Sequence, residues 1–375
     1  MNIVIAIDSF KGSLSSIEAG EAVKKGALVA FPDATVLVCP LADGGEGTVD
    51  AIIEGLNARV RKLIVCGPLG DRAEAYYGIT EDGIAVMEMA KAAGITMIPE
   101  SKRNPMLTTT YGVGEMIRDA ISLGCREFII GIGGSATNDG GIGMLQALGF
   151  SFKDKEGKEV PYGAQGVSLI NLVDVSGAMP ELKECKFHVA CDVTNPLCGE
   201  NGCSHVYSRQ KGADDEMIKK MDTYLENYAN ITEKALKIST KNAEGAGAAG
   251  GLGFAFISYL NASLEKGIKL IIEKTGLEDK IKCADLVVTG EGRLDFQTAM
   301  GKAPVGVAEI AEKYGVPTIA FAGCVTKDAG ECNNHGIKAF FPILREICTL
   351  EKAMDKDYAR VNLEKTAEQV FRLMK

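Results

Sequence analysis

The sequence predicts an α/β fold: a doubly wound, mostly parallel sheet of the Rossmann or flavodoxin-like kind, with a second, inserted mixed α/β domain. Three observations support this prediction. Strand-like and helix-like segments alternate along the 375 residues. Several strand-like segments are continuous runs of Val, Ile, Leu, Phe and Ala, which is typical of strands covered on both faces. The resulting β-α-β-α order favours right-handed crossovers and therefore parallel strands.

Short apolar runs bounded by polar or glycine-rich segments define the strands. The predicted strands are residues 2–7, 35–39, 61–65, 84–89, 127–132, 187–191, 285–289, 317–322 and 338–343. Ser15 and Glu18 form a capping-box pattern that opens a helix running to about Val29. Residues 109–123 place apolar side chains at helical spacing, and Gly124 is the expected stop. Longer helices with a charged face are predicted at 214–236 and 351–374.

The chain is longer than one typical domain, so its length favours two. Residues 60–105 have the rhythm of β-hairpins, and residues 151–240 contain polar segments around one clear strand. The predicted doubly wound domain therefore comprises 1–59, 106–150 and 241–375. The inserted mixed α/β domain comprises 60–105 and 151–240. We expect the active site in the cleft between them.

Bulk composition excludes several classes of protein. The net charge of −9 argues against nucleic acid as a partner, because phosphate backbones are bound by basic surfaces. The apolar runs are too short to cross a membrane, and the N-terminus has no signal-peptide pattern. The eleven cysteines include no Cys-x-x-Cys pair, so neither disulfides nor a structural zinc site is expected. The expected compartment is the cytoplasm, and a homo-oligomer is compatible with the sequence.

Polar loops follow four of the predicted strands, at residues 8–13, 42–48, 131–141 and 290–295. Ligands of parallel α/β sheets bind beyond the carboxyl ends of the strands, so we expect these loops to converge. The richest loop, 131–141, contains five glycines together with Ser135, Thr137, Asn138 and Asp139. Glycines let backbone N–H groups approach a ligand closely, which is typical of a phosphate or small-anion site.

Familiar nucleotide and hydrolase motifs are absent or weak. The P-loop pattern fails, because Gly301-Lys302 is followed by Ala303. Residues 245–250 and 131–136 fit dinucleotide patterns, but no acidic residue closes a next strand at the expected distance from the second. There is no Gly-x-Ser-x-Gly elbow, which disfavours triad hydrolysis. Phosphate binding without a Rossmann cofactor is therefore the favoured interpretation.

Charged residues in these loops are candidates for chemistry. Lys11, between a strand end and a capped helix, could neutralise a phosphate or a carboxylate. Arg293 could bind the same groups as a fork, or pair with a neighbouring acid. Candidate magnesium ligands or bases are Asp8, Asp43, Glu46, Asp139, Asp192, Glu291 and Asp295. Asp192 stands out, because it leaves a predicted buried strand and could accept a hydroxyl proton.

The combination of these loops resembles the bacterial glycerate kinase family of the glycerate 2-kinase type. The matching segments, in order along the whole chain, are 8–15, 42–48, 67–70, 131–141, 192–197, 247–253, 289–295 and 301–304. The resemblance implies two α/β domains and ATP-dependent phosphorylation of D-glycerate at its 2-hydroxyl. The alternatives are transfer to the 3-hydroxyl, a dinucleotide-dependent oxidoreductase of a small hydroxy acid, and a non-catalytic sensor of sugar acids.

The activity implied by this resemblance is a phosphoryl transfer, and the general logic of such transfers suggests a role for each candidate residue. Asp192 and Lys11 are the predicted catalytic residues, with Asp192 orienting or deprotonating the hydroxyl. The residues predicted to bind glycerate are Ser9, Lys11, Arg293 and Asp8. One or two of Asp43, Glu291 and Asp295 are predicted to hold Mg²⁺. The predicted contacts to the ATP phosphates are Gly133, Gly134, Ser135, Thr137, Asn138, Gly247, Gly250 and Gly251.

Overall fold

The computed structural model describes residues 1–42, 48–56 and 58–375. These residues divide into two compact units. The first unit contains residues 1–42, 50–56 and 268–375, and the second contains residues 48–49 and 58–267. No helix among the described residues is long and apolar enough to span a membrane.

The strands are three to nine residues long. In chain order they are β1 (Asn2–Ile7), β2 (Thr35–Val38), β3 (Arg59–Cys66), β4 (Arg72–Ile79), β5 (Ile84–Glu88), β6 (Glu127–Gly131), β7 (Ser151–Lys153), β8 (Leu172–Asp174), β9 (Lys186–Ala190), β10 (Ser263–Glu265), β11 (Leu286–Leu294), β12 (Thr318–Val325) and β13 (Ile337–Pro342). Eight of the nine strands predicted from the sequence are confirmed to within three residues. The ninth, predicted at 285–289, continues to Leu294, so most of the segment predicted as the polar loop 290–295 is part of β11. The strands β4, β7, β8 and β10 were not predicted individually.

Helices connect most of these strands. They are α1 (Ser16–Ala30), α2 (Thr48–Gly55), α3 (Ala90–Ala93), α4 (Tyr111–Ser122), α5 (Ile142–Ala147), α6 (Gly163–Val167), α7 (Cys203–Tyr207), α8 (Asp215–Leu236), α9 (Ala248–Leu260), α10 (Gly267–Lys274), α11 (Leu277–Lys282), α12 (Phe296–Ala299), α13 (Ala303–Lys313), α14 (Leu350–Met354) and α15 (Lys356–Leu373). Short 3-10 helices occur at Ile95–Met97, Glu100–Lys102, Pro180–Glu184, Arg209–Lys211 and Ala329–His335.

The ends of the helices follow local sequence signals. The capping box of α1 is confirmed, since Ser15 Oγ accepts from the Glu18 N–H and Glu18 accepts from the Ser15 N–H. The helix predicted at 351–374 is instead two helices, α14 and α15. Asp355 separates them, because its extended backbone and its side-chain bond to the Tyr358 N–H make it the N-cap of α15.

The first unit is built on a five-stranded sheet in the order β13-β12-β11-β1-β2, with every neighbouring pair parallel. Helices α1 and α15 cover one face, where Ile5, Val288 and Phe321 meet Val23 and Leu363. Helix α13 covers the opposite face. Burial on both faces explains the continuous apolar composition of the strands, and the predicted doubly wound sheet is confirmed.

The second unit is built on a six-stranded sheet in the order β10-β9-β6-β5-β4-β3. Strands β3, β4 and β5 pair antiparallel, whereas β5, β6, β9 and β10 pair parallel. Its core includes stacked Phe128 and Phe187 together with Phe256 of α9. The mixed character predicted for the inserted domain is therefore present in this unit.

The boundaries of the second unit differ from the predicted inserted domain. Residues 106–150 and 241–267, which the sequence placed with the doubly wound sheet, lie in the second unit. The physical reason is the pairing of β6, which lies between β5 and β9. Its run Phe128-Ile129-Ile130 is as continuous and as buried as the strands of the first sheet, so composition alone does not assign it to either sheet.

A buried polar cluster supports the glycine-rich loop 131–141 in the second unit. The Lys211 side chain is 2% exposed. Its ammonium donates to Ser135 Oγ and to the carbonyl oxygen of Thr137, each at 2.7 Å. Lys211 therefore ties two points of the loop to the segment that precedes α8.

Other side chains extend this network. Asn138 Nδ2 donates to Ser204 Oγ at 3.0 Å, and Ser208 Oγ donates to Asn138 Oδ1 at 3.1 Å. Asp139 Oδ2 accepts from both the N–H and the hydroxyl of Thr110 at 2.8 Å. Burial raises the pKa of the Asp139 carboxyl, against the lowering effect of these hydrogen bonds. The loop conformation therefore depends on side-chain bonds made inside the unit.

Burial also lowers the pKa of Lys211, to about 8. In the unfolded chain a lysine titrates near pH 10.4. Below pH 8 both states carry the charge, so folding bears the full cost of burying it. Between these two pKa values the unfolded chain binds more protons than the folded protein, and the free energy of unfolding rises with pH. Above both values the lysine is neutral in both states.

We expect Lys211→Met to remove this pH dependence. The wild-type free energy of unfolding should gain about 3 kcal/mol relative to the variant between pH 8 and pH 10.5, since one pKa unit corresponds to about 1.4 kcal/mol. Urea unfolding followed by circular dichroism across this range measures the difference. Lys219→Met, at an exposed position of α8, is the matched control. Equal pH slopes for wild type and both variants would contradict the prediction.

Candidate functional site

The pairing of β1 with β11 places the polar loop after β1 beside the polar end of β11. Ile7 at the end of β1 lies opposite Gly290 in β11, and the Asp8 N–H donates to the Gly290 carbonyl at 2.9 Å. The chain leaves β1 toward β2 on one side, whereas β11, β12 and β13 follow on the other. The β1/β11 boundary is therefore the topological switch point of the sheet, where α/β proteins bind ligands.

A cavity of about 430 Å³ opens at this point of the first unit. Its volume is within the usual range for small-molecule sites. Its polar lining residues are Ser9, Lys11, Ser13, Glu291, Arg293, Asp295, Lys302 and Asn362. Its apolar lining residues are Phe10, Ile343, Leu344, Leu350, Ala353, Met354 and Ala359. Five of the predicted site residues are thus brought together: Ser9, Lys11, Glu291, Arg293 and Asp295.

Three cationic side chains line the cavity: Lys11, Arg293 and Lys302. Lys11 is exposed in the loop after β1, and the Arg293 side chain is 64% exposed. Lys302 is the residue before α13, which starts at Ala303 with Pro304 in its first turn. The first turn of a helix has N–H groups without intrahelical partners and a partial positive charge, which adds to the attraction for an anion.

The two predicted carboxylates also serve the local structure. Glu291 is 7% exposed, and its Oε1 accepts from the Thr298 hydroxyl at 2.6 Å. Asp295 caps α12, with Oδ1 accepting from the Gln297 N–H at 2.9 Å, and its Oδ2 lies 3.5 Å from Arg293 Nε. Burial, followed by these two acidic charges, raises the pKa of the nearby Cys332 thiol to about 11. The cavity thus presents the carboxylate oxygens of Glu291 and Asp295 as hard donors, and the exposed Cys324 also lines it.

This donor set fits Mg²⁺ bound jointly with phosphate oxygens, because magnesium uses one or two carboxylates together with substrate phosphates and water. No group of three His, Cys, Asp or Glu side chains among the described residues could hold a metal ion by itself. Asp43, the third predicted magnesium ligand, lies outside the described residues.

Asp8 and Ser13 shape the loop after β1. Asp8 is 2% exposed and accepts from the Ser9 N–H at 2.6 Å, so it lies beneath the loop and does not line the cavity. Ser13 lines the cavity, and its buried Oγ has no hydrogen-bond partner among the described residues. An unpaired buried hydroxyl costs free energy unless a ligand or water satisfies it. Ser13 is therefore an additional candidate ligand contact.

Asp192 belongs to the second unit. It follows β9, and its Oδ1 accepts from the Gly267 N–H at 3.0 Å. The residue is exposed, so the partial desolvation expected from the sequence is not found. The reason is that β9 ends at Ala190, and the chain reaches the surface before Asp192.

The two glycine-rich segments of the second unit pack against each other. The Gly140 N–H donates to the Gly250 carbonyl at 2.9 Å, and a Cβ at Gly250 would lie 2.0 Å from the Thr137 carbonyl oxygen. Thr137 and Asn138 are fully buried, and Gly247 and Gly251 are buried as well. Within the predicted phosphate segment, Gly133 is half-buried and Gly134 is exposed. Those two glycines are therefore the accessible part of this segment.

Sequence reasoning missed Ser13, Lys302 and Asn362 as lining residues, and Lys211 as the buried support of the loop. Lys302 had a signal, because Gly301-Lys302 directly precedes a helix start marked by Pro304. Asn362 lies in the middle of a charged helix, and Lys211 in the polar segment 209–216. Neither carries a local pattern that distinguishes it from a solvated residue.

Comparison with known proteins gives a consistent result. The sequence matches the glycerate kinase family over residues 3–375. It is 47% identical to glycerate 2-kinase of Escherichia coli K12 over 362 residues, which covers 96% of this chain and 95% of the relative. It is 46% identical to glycerate kinase of Bacillus subtilis 168, covering 99% of this chain and 97% of the relative.

A solved structure shows the same similarity. The crystal structure of a protein from Salmonella typhimurium LT2, provisionally named glycerate kinase 2, superposes with a TM-score of 0.92 at 45% identity. The superposition covers 100% of this chain and 98% of that one. These similarities confirm the resemblance to the glycerate kinase family that the loops indicated, and the solved structure agrees with the predicted α/β fold. The chain belongs to the glycerate kinase family.

Proposed function

We propose that this protein transfers the γ-phosphoryl group of ATP to the 2-hydroxyl of D-glycerate, giving 2-phosphoglycerate and ADP. The observation that carries the proposal is the near full-length similarity to a relative named glycerate 2-kinase. The cavity at the switch point supports it independently, because its cationic side chains suit an anionic acceptor and a polyphosphate donor.

Ser9, Lys11 and Arg293 are the proposed contacts to the carboxylate of glycerate. All three line the cavity, and they combine a hydroxyl, a point charge and a planar fork of donors. Holding the carboxylate fixes which hydroxyl of the acid faces the phosphoryl donor. Positioning of this kind is the main contribution an enzyme makes to phosphoryl transfer.

Asp192 is the proposed base. In the transfer, the bond from the γ-phosphorus to the bridging oxygen of ADP breaks and a bond from the 2-oxygen forms. The hydroxyl proton passes to the Asp192 carboxylate. The hydrogen bond from the Gly267 N–H to Oδ1 holds this carboxylate in place. The exposure of Asp192 suits a group that must meet a substrate.

Glu291 and Asp295, with Asp43, are the proposed carboxylates for Mg²⁺. Bound magnesium would neutralise charge on the ATP phosphates. The backbone N–H groups of Gly133 and Gly134 are the proposed phosphate contacts of the second unit, because they are the accessible part of its glycine-rich segments. Ser135, Thr137 and Asn138 would support them through the buried cluster.

We further propose that the protein acts in the cytoplasm, where ATP is available. All eleven cysteines are free thiols in the structure, as expected of a reducing compartment. The net charge of −9 continues to disfavour nucleic acid as a partner.

A coupled product assay tests the position of transfer. Purified protein, Mg-ATP and D-glycerate are coupled to enolase, with and without phosphoglycerate mutase. We expect phosphoenolpyruvate to form without mutase, because enolase accepts only 2-phosphoglycerate. A signal that requires mutase would show transfer to the 3-hydroxyl. No signal in either arm would contradict the proposed activity.

We expect Lys11→Met to lower kcat/KM for glycerate by about 10- to 100-fold, since a hydrogen bond to a charged group contributes about 1.5–3 kcal/mol. Steady-state kinetics with glycerate varied at saturating ATP measures this. Lys25→Met, at an exposed position of α1 in the same unit, should leave kcat/KM unchanged. Equal kinetics for Lys11→Met and the control would remove Lys11 from the site.

We expect Asp192→Asn to lower kcat by at least about 100-fold, the usual contribution of a general base. The amide oxygen still accepts from the Gly267 N–H, so the KM for ATP should change by less than about threefold. Asp222→Asn is the matched control, because Asp222 also accepts a backbone N–H, from Gly199 at 3.0 Å. Near-normal turnover in Asp192→Asn would show that another group takes the proton.

A further inference from the structure

We propose that the apolar wall of the first-unit cavity, together with Asn362, binds the adenine ring of ATP. We define the apolar wall as Ile343 and Leu344 after β13, and Leu350, Ala353 and Met354 of α14. The adenine site rests on the proposed function, because that function supplies ATP as the phosphoryl donor.

Glycerate cannot account for this wall. Its surface consists of a carboxylate and hydroxyl groups on a short carbon chain, so it offers almost no apolar area to Leu350 or Met354. Apolar surface contributes to binding only when a ligand removes it from water, at about 25 cal/mol per Å². Adenine is the large flat apolar part of ATP, and it suits a wall of Leu, Ile and Met side chains.

The two ends of the cavity match the two ends of a nucleotide. The wall lies in the same cavity as Lys302, a cation that the proposed glycerate contacts Lys11 and Arg293 leave for the phosphates. A free phosphate or a small dicarboxylate would contact the cationic side chains and leave the apolar wall exposed to water. An apolar ligand would use the wall and leave the cations unneutralised. A nucleotide combines an aromatic ring with a polyanion and uses both.

Close packing joins the wall to the cationic loop. A Cβ at Gly12 would lie 2.8 Å from Met354 Cε, so Met354 packs directly on the turn that follows Lys11. Gly12 has a φ of +78°, a backbone conformation that residues other than glycine rarely adopt. The flexible methionine therefore borders the loop that carries the charge, and its thioether chain can adapt to a flat ring.

Asn362 provides a polar contact at this wall. It lies on α15, is 7% exposed and lines the cavity. Its Nδ2 is buried beside the Tyr358 side chain but makes no hydrogen bond of normal geometry with any described residue. A buried donor left in this state costs about 1–3 kcal/mol, which a ligand acceptor would recover. A carboxamide can donate to a ring nitrogen of adenine and accept from its exocyclic amine.

The wall is tested with Leu350→Asn. Leu350 is 78% exposed at the rim, so the substitution should leave the fold intact. We expect the dissociation constant for ATP, measured by calorimetry, to rise at least tenfold, with the KM for glycerate changed less than twofold. Leu373→Asn, at a position of α15 that is 83% exposed and outside the cavity, is the matched control and should bind ATP normally. Unchanged ATP affinity in Leu350→Asn would overturn the proposal.

Inorganic tripolyphosphate separates the base from the phosphates. It carries the charge of the ATP tail without the ring, so its inhibition constant should be the same for wild type and Leu350→Asn. An equal loss of tripolyphosphate and ATP binding would place the effect on the phosphates and overturn the adenine assignment.

Nucleobase selectivity tests Asn362. Asn362→Leu removes the donor at similar volume, and we expect the ratio of kcat/KM for ATP to that for GTP to fall at least fivefold. A fall in both values at a constant ratio would indicate a structural role and overturn the assignment of Asn362.

The adenine site and the proposed function can fail separately. A wild-type protein that binds ATP more tightly than Leu350→Asn but forms no phosphoglycerate would support the adenine site and overturn the proposed function. Phosphoglycerate formation with unchanged ATP affinity in Leu350→Asn would support the proposed function and overturn the adenine site.

Discussion

The parallel pairing of β1 with β11 is the constraint on which the cavity depends. The register from Ile3–Leu286 to Ile7–Gly290 joins the start of the chain to a segment far along it. Because the strands are parallel, the loop after β1 and the carboxyl end of β11, which contains Arg293, lie at one edge of the sheet. Because β2 and β12 lie on opposite sides of this pair, the crossovers leave in opposite directions and a crevice remains between the loops. Lys11 and Arg293 can line one cavity only in this arrangement.

Local patterns predicted most of the elements and part of the site. Continuous apolar runs identified the strands, and the loop after β1 and the polar end of β11 were recognised from their glycines and charged residues. The assignment of β6 could not be obtained in this way. Phe128, Ile129 and Ile130 are buried in the second sheet as completely as Ile3 and Ile5 are in the first. Which sheet a strand joins depends on pairing partners distant in sequence, and apolar composition carries no information about them.

The site residues that sequence reasoning missed are single polar groups whose environment is set by tertiary packing. Lys211 follows Arg209 and Gln210 in a segment with the composition of a solvated surface. The next residue, Gly212, lies where a Cβ would be 2.2 Å from the Arg103 carbonyl oxygen, and the Lys211 ammonium is buried against Ser135 and Thr137. Asn362 is likewise an ordinary polar residue of α15 until the strand ends place a cavity beside it. Burial converts both from neutral surface residues into groups that require a partner.

Glycine content is an ambiguous signal of a ligand site, because tertiary packing decides what approaches each glycine. Glycine permits close approach of a backbone, and the approaching group can be a ligand or another part of the chain. At Gly250 it is the chain, because the Thr137 carbonyl occupies the space that a side chain would need. At Gly12 it is Met354 of the apolar wall. In the second unit the Ser135 and Asn138 side chains are engaged by Lys211, Ser204 and Ser208, and only the buried Thr137 hydroxyl of the loop lacks a hydrogen-bond partner among the described residues. Ser13 and Asn362 also have polar atoms that no described residue satisfies, and these two residues line the first-unit cavity. Unsatisfied polar atoms at a cavity therefore indicate a ligand site more directly than a glycine-rich sequence does.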